Sequence, residues 1–164
     1  MSAKSYLFVV ALAASALAAP VVGQKRDDNL NPKSVQLLNE GQQLYSAGKL
    51  GEATDALETA LAVDPRNRMA FVSLARVATA QKLFGKAIRL TNKALLLDPN
   101  DPNAISVQGQ AMVQLGAAAR AQANLQKLKT LCPQGCAQLA ELSAAVSKGP
   151  AIAAAKPATK TKTD

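Results

Sequence analysis

The chain has 164 residues, about half of them apolar, and 19 Lys and Arg against 11 Asp and Glu give a formal charge of +8. That length holds one domain with tails, and an Ala- and Leu-rich composition with two Tyr, three Phe and no Trp suits closely packed helices rather than a sheet. The absence of His removes the commonest general base and metal ligand, and two cysteines cannot complete a four-ligand zinc site, so neither an enzyme nor a metal or cofactor protein is expected.

Residues 1–23 read as a secretory signal peptide. Lys4 supplies the positive start, Tyr6 to Leu17 form an uncharged apolar stretch, and small residues offer cleavage after Ala18 or after Gly23. Pro20 disfavours cleavage after Ala19. The apolar stretch is shorter than the ~20 residues a spanning helix needs, so the mature chain is expected without a transmembrane segment. A bacterial periplasm is the expected compartment, with full secretion as the alternative, and either one favours pairing of the two cysteines. Residues 24–33, with Asn31-Pro32, read as a polar leader.

From residue 34 the pattern is helical and repeated. Leu37, Leu38, Gly41 and Leu44 follow the i, i+3, i+4, i+7 spacing of one buried helix face, and Gly48 offers the stop. Ala53, Leu57, Ala60 and Leu61 repeat the pattern until Pro65 forbids continuation. Met69, Val72, Leu74, Val77 and Ala78 carry the next helix. Ala87, Ile88, Leu90, Leu95 and Leu97 carry its partner, which ends before Pro99. Asp101-Pro102 supplies an N-cap and a first-turn proline. Pro65, Pro99 and Pro133 stand 34 residues apart. That register aligns Gly41, Ala75 and Gly109; Ala53, Ala87 and Ala121; Ala60, Ala94 and Leu128; and Leu37, Phe71 and Ile105. Thr91 stands in a column that Leu57 and Leu125 fill elsewhere.

These columns resemble the tetratricopeptide repeat, a helix–turn–helix unit of 34 residues, over about residues 34–133. The resemblance implies an all-α, right-handed superhelical solenoid with repeats at 34–67, 68–101 and 102–135. A further helix at 136–147 would cap the last repeat, with Leu139, Ala140, Leu142 and Val146 on its buried side and Gln138, Glu141 and Ser143 toward solvent. In this family the first helix of each repeat lines an inner groove in which peptides lie. By position that groove would present Leu38, Gln42, Tyr45, Met69, Val72, Arg76, Asn103, Ser106, Gln110 and Gln114, with Arg76 near a carboxylate and Tyr45 as an apolar anchor. One subtype of the family clamps C-terminal carboxylates with Lys, Asn and Arg. Here those places hold Leu38, Gln42, Ser73, Asn103 and Val107, so that clamp is missing.

Cys132-Pro133-Gln134-Gly135-Cys136 straddles the turn into the capping helix, where Pro and Gly let the chain reverse and the sulfurs meet. A redox-active dithiol usually has two intervening residues, and no His follows Cys136 for haem attachment. A structural disulfide is therefore expected. Lys82, Lys86, Arg89 and Lys93 step by four, three and four and read as one basic helix face. Residues 148–164, rich in Ala, Lys, Pro and Thr, cannot bury enough apolar surface to fold.

The functional expectation is a non-enzymatic scaffold or assembly module of the cell envelope that binds a protein or peptide segment in its groove. The alternative is a cationic protein that contacts an anionic envelope surface or acidic polymer through the basic face and the tail. Self-association through Val35 and Leu38 at the first repeat is a third reading. Nucleic acid is not an expected partner of an exported chain without aromatic interleaving.

Overall fold

The computed structural model describes residues 29–150. The expected signal peptide, the first half of the leader and nearly all of the tail lie outside them. Among the described residues the elements are α1 (Pro32–Ser46), α2 (Leu50–Val63), α3 (Arg68–Ala80), α4 (Phe84–Leu97), α5 (Pro102–Gln114), α6 (Ala118–Leu131) and α7 (Ala137–Lys148), with no strand. The helices α1–α2, α3–α4 and α5–α6 pack as hairpins, each hairpin stacks on the next, and α7 packs on α5 and α6. This is the all-α solenoid that the 34-residue register predicts. No helix among the described residues is long and apolar enough to cross a membrane.

Side chains next to the helix ends set the boundaries. Asn31 Oδ1 accepts from the Lys33 amide at 2.9 Å, with Pro32 in the first turn. Helix α1 therefore begins inside what reads as leader at 24–33, a correction to that boundary. Asn67 Oδ1 accepts from Ala70 N at 3.0 Å, and Asp101 Oδ1 accepts from Asn103 N at 2.8 Å, capping α3 and α5. Helices α2 and α4 stop at Asp64 and Asp98, both extended and both followed by proline. At the other end of each hairpin, one register column holds Gly48 (φ 75°), Lys82 (φ 62°) and Gly116 (φ 73°). The backbone there is left-handed, which glycine adopts freely and lysine does not. Lys82 is thus a turn residue and not part of α4, which corrects the four-residue basic face.

Close approach of the helices depends on small side chains. Ala53, Ala87 and Ala121 are fully buried, as are Leu57, Leu128 and Leu142, each such leucine contributing about 2 kcal/mol of burial. A Cβ at Gly41 would lie 2.5 Å from Leu57 Cγ, and one at Gly109 would lie 2.6 Å from Leu142 Cδ1. Thr91 is buried in its apolar column because its hydroxyl donates to the carbonyls of Ala87 and Ile88, each at 3.0 Å.

Buried polar bonds tie successive repeats together. Asn67 Nδ2 donates to Ser34 Oγ at 2.9 Å, and that hydroxyl donates to the Ala60 carbonyl at 2.7 Å. The Arg68 guanidinium pairs with Asp101, joining the start of α3 to the start of α5. Asp64 accepts from Arg66, through both its guanidinium and its amide, and from the Asn31 amide. These bonds, the guanidinium first, hold its carboxyl down at about 2. Gln108 Nε2 donates to Asn92 Oδ1 of the second repeat at 2.6 Å, and inside the third repeat Asn124 Nδ2 donates to Gln108 Oε1 at 3.1 Å and to the Ile105 carbonyl at 3.1 Å.

Candidate functional site

The first helix of each hairpin faces the same side of the stack, so α1, α3, α5 and α7 together line one surface. Gln42, Tyr45 and Ser46 from α1 meet Met69, Ser73 and Arg76 from α3 around a cavity of about 330 Å³. Tyr45 and Arg76 also border a second cavity of about 310 Å³, with Thr79, Ala80, Val107, Gln110 and Glu141. A third, of about 760 Å³, lies toward the helix C-termini among Thr79, Ala80, Lys82, Phe84, Gln110, Gln114 and Ala145. Shared residues join the three into one trough from α1 to α7.

Helix geometry decides which expected residues reach it. Gln42, Tyr45, Met69, Arg76, Gln110 and Gln114 line the trough. Leu38, Val72 and Ser106 do not: each is buried, the first two in apolar clusters. The Ser106 hydroxyl donates to the Gln138 carbonyl at 3.1 Å. Leu38 is likewise unavailable for self-association, and only Val35 of that pair is exposed. Asn103 sits between helices, its Oδ1 accepting from Gln138 Nε2 at 2.9 Å and from Arg76 Nη2 at 3.5 Å. The sequence reading assigned Ser73 and Val107 only to the absent clamp, and it missed Ser46, Thr79 and Glu141. Of these, Glu141 matters most: it is exposed, as expected of the capping helix's polar side, and that exposed side borders the trough.

The lining is cross-linked by its own amides and hydroxyls. Gln42 Nε2 donates to Ser73 Oγ at 3.0 Å, spanning α1 to α3. Gln110 Nε2 donates to Ser106 Oγ at 3.1 Å and to Glu141 Oε2 at 3.4 Å, spanning α5 to α7. Such a surface offers hydrogen bonds along its length, with the Tyr45 ring at its α1 end and the Phe84 ring in the third cavity. Among the described residues there is no cluster of three or more His, Cys, Asp or Glu able to hold a metal ion.

The opposite surface carries a sign change. One outward column of the second helices reads Glu52, Lys86, Arg120; another reads Asp55, Arg89, Ala123; a third reads Thr59, Lys93, Lys127. Lys86 Nζ lies 3.1 Å from Glu58 Oε1, so one of the four expected basic residues is spent on α2. Arg89 and Lys93 remain exposed, flanking Leu96, which is 81% exposed. At the turn into α7, Cys132 and Cys136 have Cα atoms 5.9 Å apart and facing sulfurs.

Residues 44–111 match the family model described as Tetratricopeptide repeat. Comparison with curated protein sequences finds no match. Among solved structures, the chain is similar to the Sgt2 TPR domain from Aspergillus fumigatus, with 22% identity and a TM-score of 0.66 over 75% of this chain and 83% of that one. The first TPR of Spaghetti (RPAP3), bound to the HSP90 peptide SRMEEVD, aligns with 24% identity and a TM-score of 0.63 over 70% of this chain and 94% of that one. The second TPR domain of human RPAP3, in complex with the HSP70 peptide SGPTIEEVD, gives 21% and 0.62 over 69% and 94%.

Proposed function

Starting from a solenoid of tetratricopeptide repeats, we propose that this chain is a non-enzymatic binding module that takes an extended protein segment along the trough between α1 and α7. The observation that carries this reading is the continuity of the trough. Tyr45 and Arg76 join the first cavity to the second, and Thr79, Ala80 and Gln110 join the second to the third. The lining combines side-chain amides and hydroxyls with the rings of Tyr45 and Phe84 and the charges of Arg76, Lys82 and Glu141. Peptides bound by similar domains support the same use. The proposal extends to an exported chain working in the cell envelope, which rests on the signal-like residues 1–23. It also includes a Cys132–Cys136 disulfide, supported by the facing sulfurs and their 5.9 Å Cα separation.

A photo-crosslinking residue at position 45 tests the groove directly. It should capture a partner segment in native envelopes, whereas the same probe at position 96 should not. Tyr45→Ala should weaken the captured interaction by about 1–2 kcal/mol, as expected for loss of an aromatic anchor. Capture from position 96 alone would defeat the reading. N-terminal sequencing of the mature protein reports on export, and titration of the native protein under denaturation should find no free thiol.

A second reading has its own observation. The outward columns of α4 and α6 are cationic where α2 is acidic, and Leu96 stands exposed among Arg89 and Lys93. That face suits an anionic envelope surface. Binding to anionic vesicles that weakens with salt and is lost on removing Gly149–Asp164 or on Arg89→Glu with Lys93→Glu would favour it over the groove.

A further inference from the structure

Resting on the groove reading above, we infer that the occupant is a peptide segment bearing two opposite charges, its acidic group lying over α3 and its basic group over α7. The trough carries few charges, and their order along it is fixed. The α1 end contributes Gln42, Tyr45 and Ser46, all neutral. Arg76 brings positive charge from α3, with Lys82 beyond it in the adjoining cavity. Glu141 brings negative charge from α7.

Arg76 and Glu141 border the same cavity of about 310 Å³, yet neither forms an ion pair with the other or with any described residue. Each is held back by an amide. Arg76 donates to Asn103 Oδ1 at 3.5 Å, and Glu141 accepts from Gln110 Nε2 at 3.4 Å. Both bonds are long, so both charged groups keep hydrogen-bonding capacity toward the cavity. A ligand that places a carboxylate at Arg76 and an ammonium or guanidinium at Glu141 satisfies both at once.

The size of the cavity sets the spacing of those charges. A space of about 310 Å³ is about 7–10 Å across, which an extended chain crosses in two or three residues. A free zwitterion would fill this cavity alone. A segment continues past Arg76 and Tyr45 into the next cavity, where the Gln42–Ser73 pair offers further polar contacts. That continuity favours the segment.

Fluorescence anisotropy on the full chain tests the inference. The probes are equal-length peptides on an uncharged background carrying Asp and Lys two or three residues apart, Asp twice, Lys twice, or no charge. The Asp/Lys peptides should bind the wild type about tenfold more tightly than the uncharged one, the gain expected from two exposed ion pairs. Arg76→Glu should move the preference to the Lys/Lys peptide and Glu141→Lys to the Asp/Asp peptide. Combining Arg76→Glu with Glu141→Arg should restore Asp/Lys. Circular dichroism confirms that each variant is folded. Equal binding of charged and uncharged peptides would overturn the inference while leaving the groove reading standing. Binding of none of them would overturn both. Competition by free amino acid as effective as by peptide would overturn the assignment to a segment.

Discussion

Repeats two and three have the same helical plan but different interiors. Where repeat two places Leu74 and Leu90, the register puts Gln108 and Asn124 in repeat three. Leu74 is 3% exposed in an apolar cluster against which Leu90 packs. Gln108, 6% exposed, joins Asn92 of α4 to Asn124 of α6 through hydrogen bonds. One hairpin is closed by shape and the other by directed bonds. The lesson is that a repeat tolerates either solution provided that both members of the pair are of the same kind, because a buried amide without its partner costs far more than a satisfied pair returns.

Leu74→Ala should have the largest effect on this contrast, destabilising the protein by about 3 kcal/mol within the usual 2–5 range. Chemical denaturation with an unchanged slope would record it. Gln108→Ala should cost less, about 1–2 kcal/mol, since it takes one of two acceptors from the half-buried Asn124 amide, which keeps its bond to the Ile105 carbonyl. Converting both Gln108 and Asn124 to leucine, which makes repeat three resemble repeat two, should return stability to within about 1 kcal/mol of the wild type. A double variant worse than Gln108→Ala alone would show that the polar pair specifies the packing of repeat three and does not merely fill it.

The turns differ as well. Lys82 occupies in repeat two the left-handed position that Gly116 holds in repeat three. Lys82→Gly should therefore stabilise by about 1 kcal/mol, read as a rise in denaturation midpoint, whereas Gly116→Lys should lower it. The smallest effect is one of pH. Asp64, in the turn leading into repeat two, has its carboxyl held down at about 2 by Arg66 and by backbone amides. A depressed carboxylate pKa stabilises the fold above the unfolded value near 4, and that contribution is lost as pH falls from about 4 to about 2. Hydrogen exchange at α1 and α3 amides should quicken over that window, and Asp64→Asn should flatten the dependence.

How much of this was legible in the sequence follows from what periodicity can carry. Three prolines in register and the small-residue columns located the hairpins, because proline and close packing constrain the chain locally. The start of α1 was missed because Asn31-Pro32 serves equally as a linker and as a cap. Leu38, Val72 and Ser106 were placed in the groove by position alone. Whether such a residue turns inward depends on the rotation of the next helix, which periodicity does not encode. Glu141 was missed as a trough residue because its exposure says nothing of direction: the cap's polar side does meet water, and stacking on α5 sets Glu141 at the edge of the trough. The Gln108–Asn124 pair was invisible because its partners lie 16 residues apart on different helices.

Helix α7 fits against Gly109 through Leu142 and has no second helix after it among the described residues. Among those residues the array is a ruler of set length. Four inner helices give three steps of about 9 Å each, or about 27 Å of trough, which an extended chain covers in about eight residues. On the proposed use, a longer sequence laid along it would leave at one end or the other, and the trough would gauge a short stretch of a partner regardless of the partner's own size.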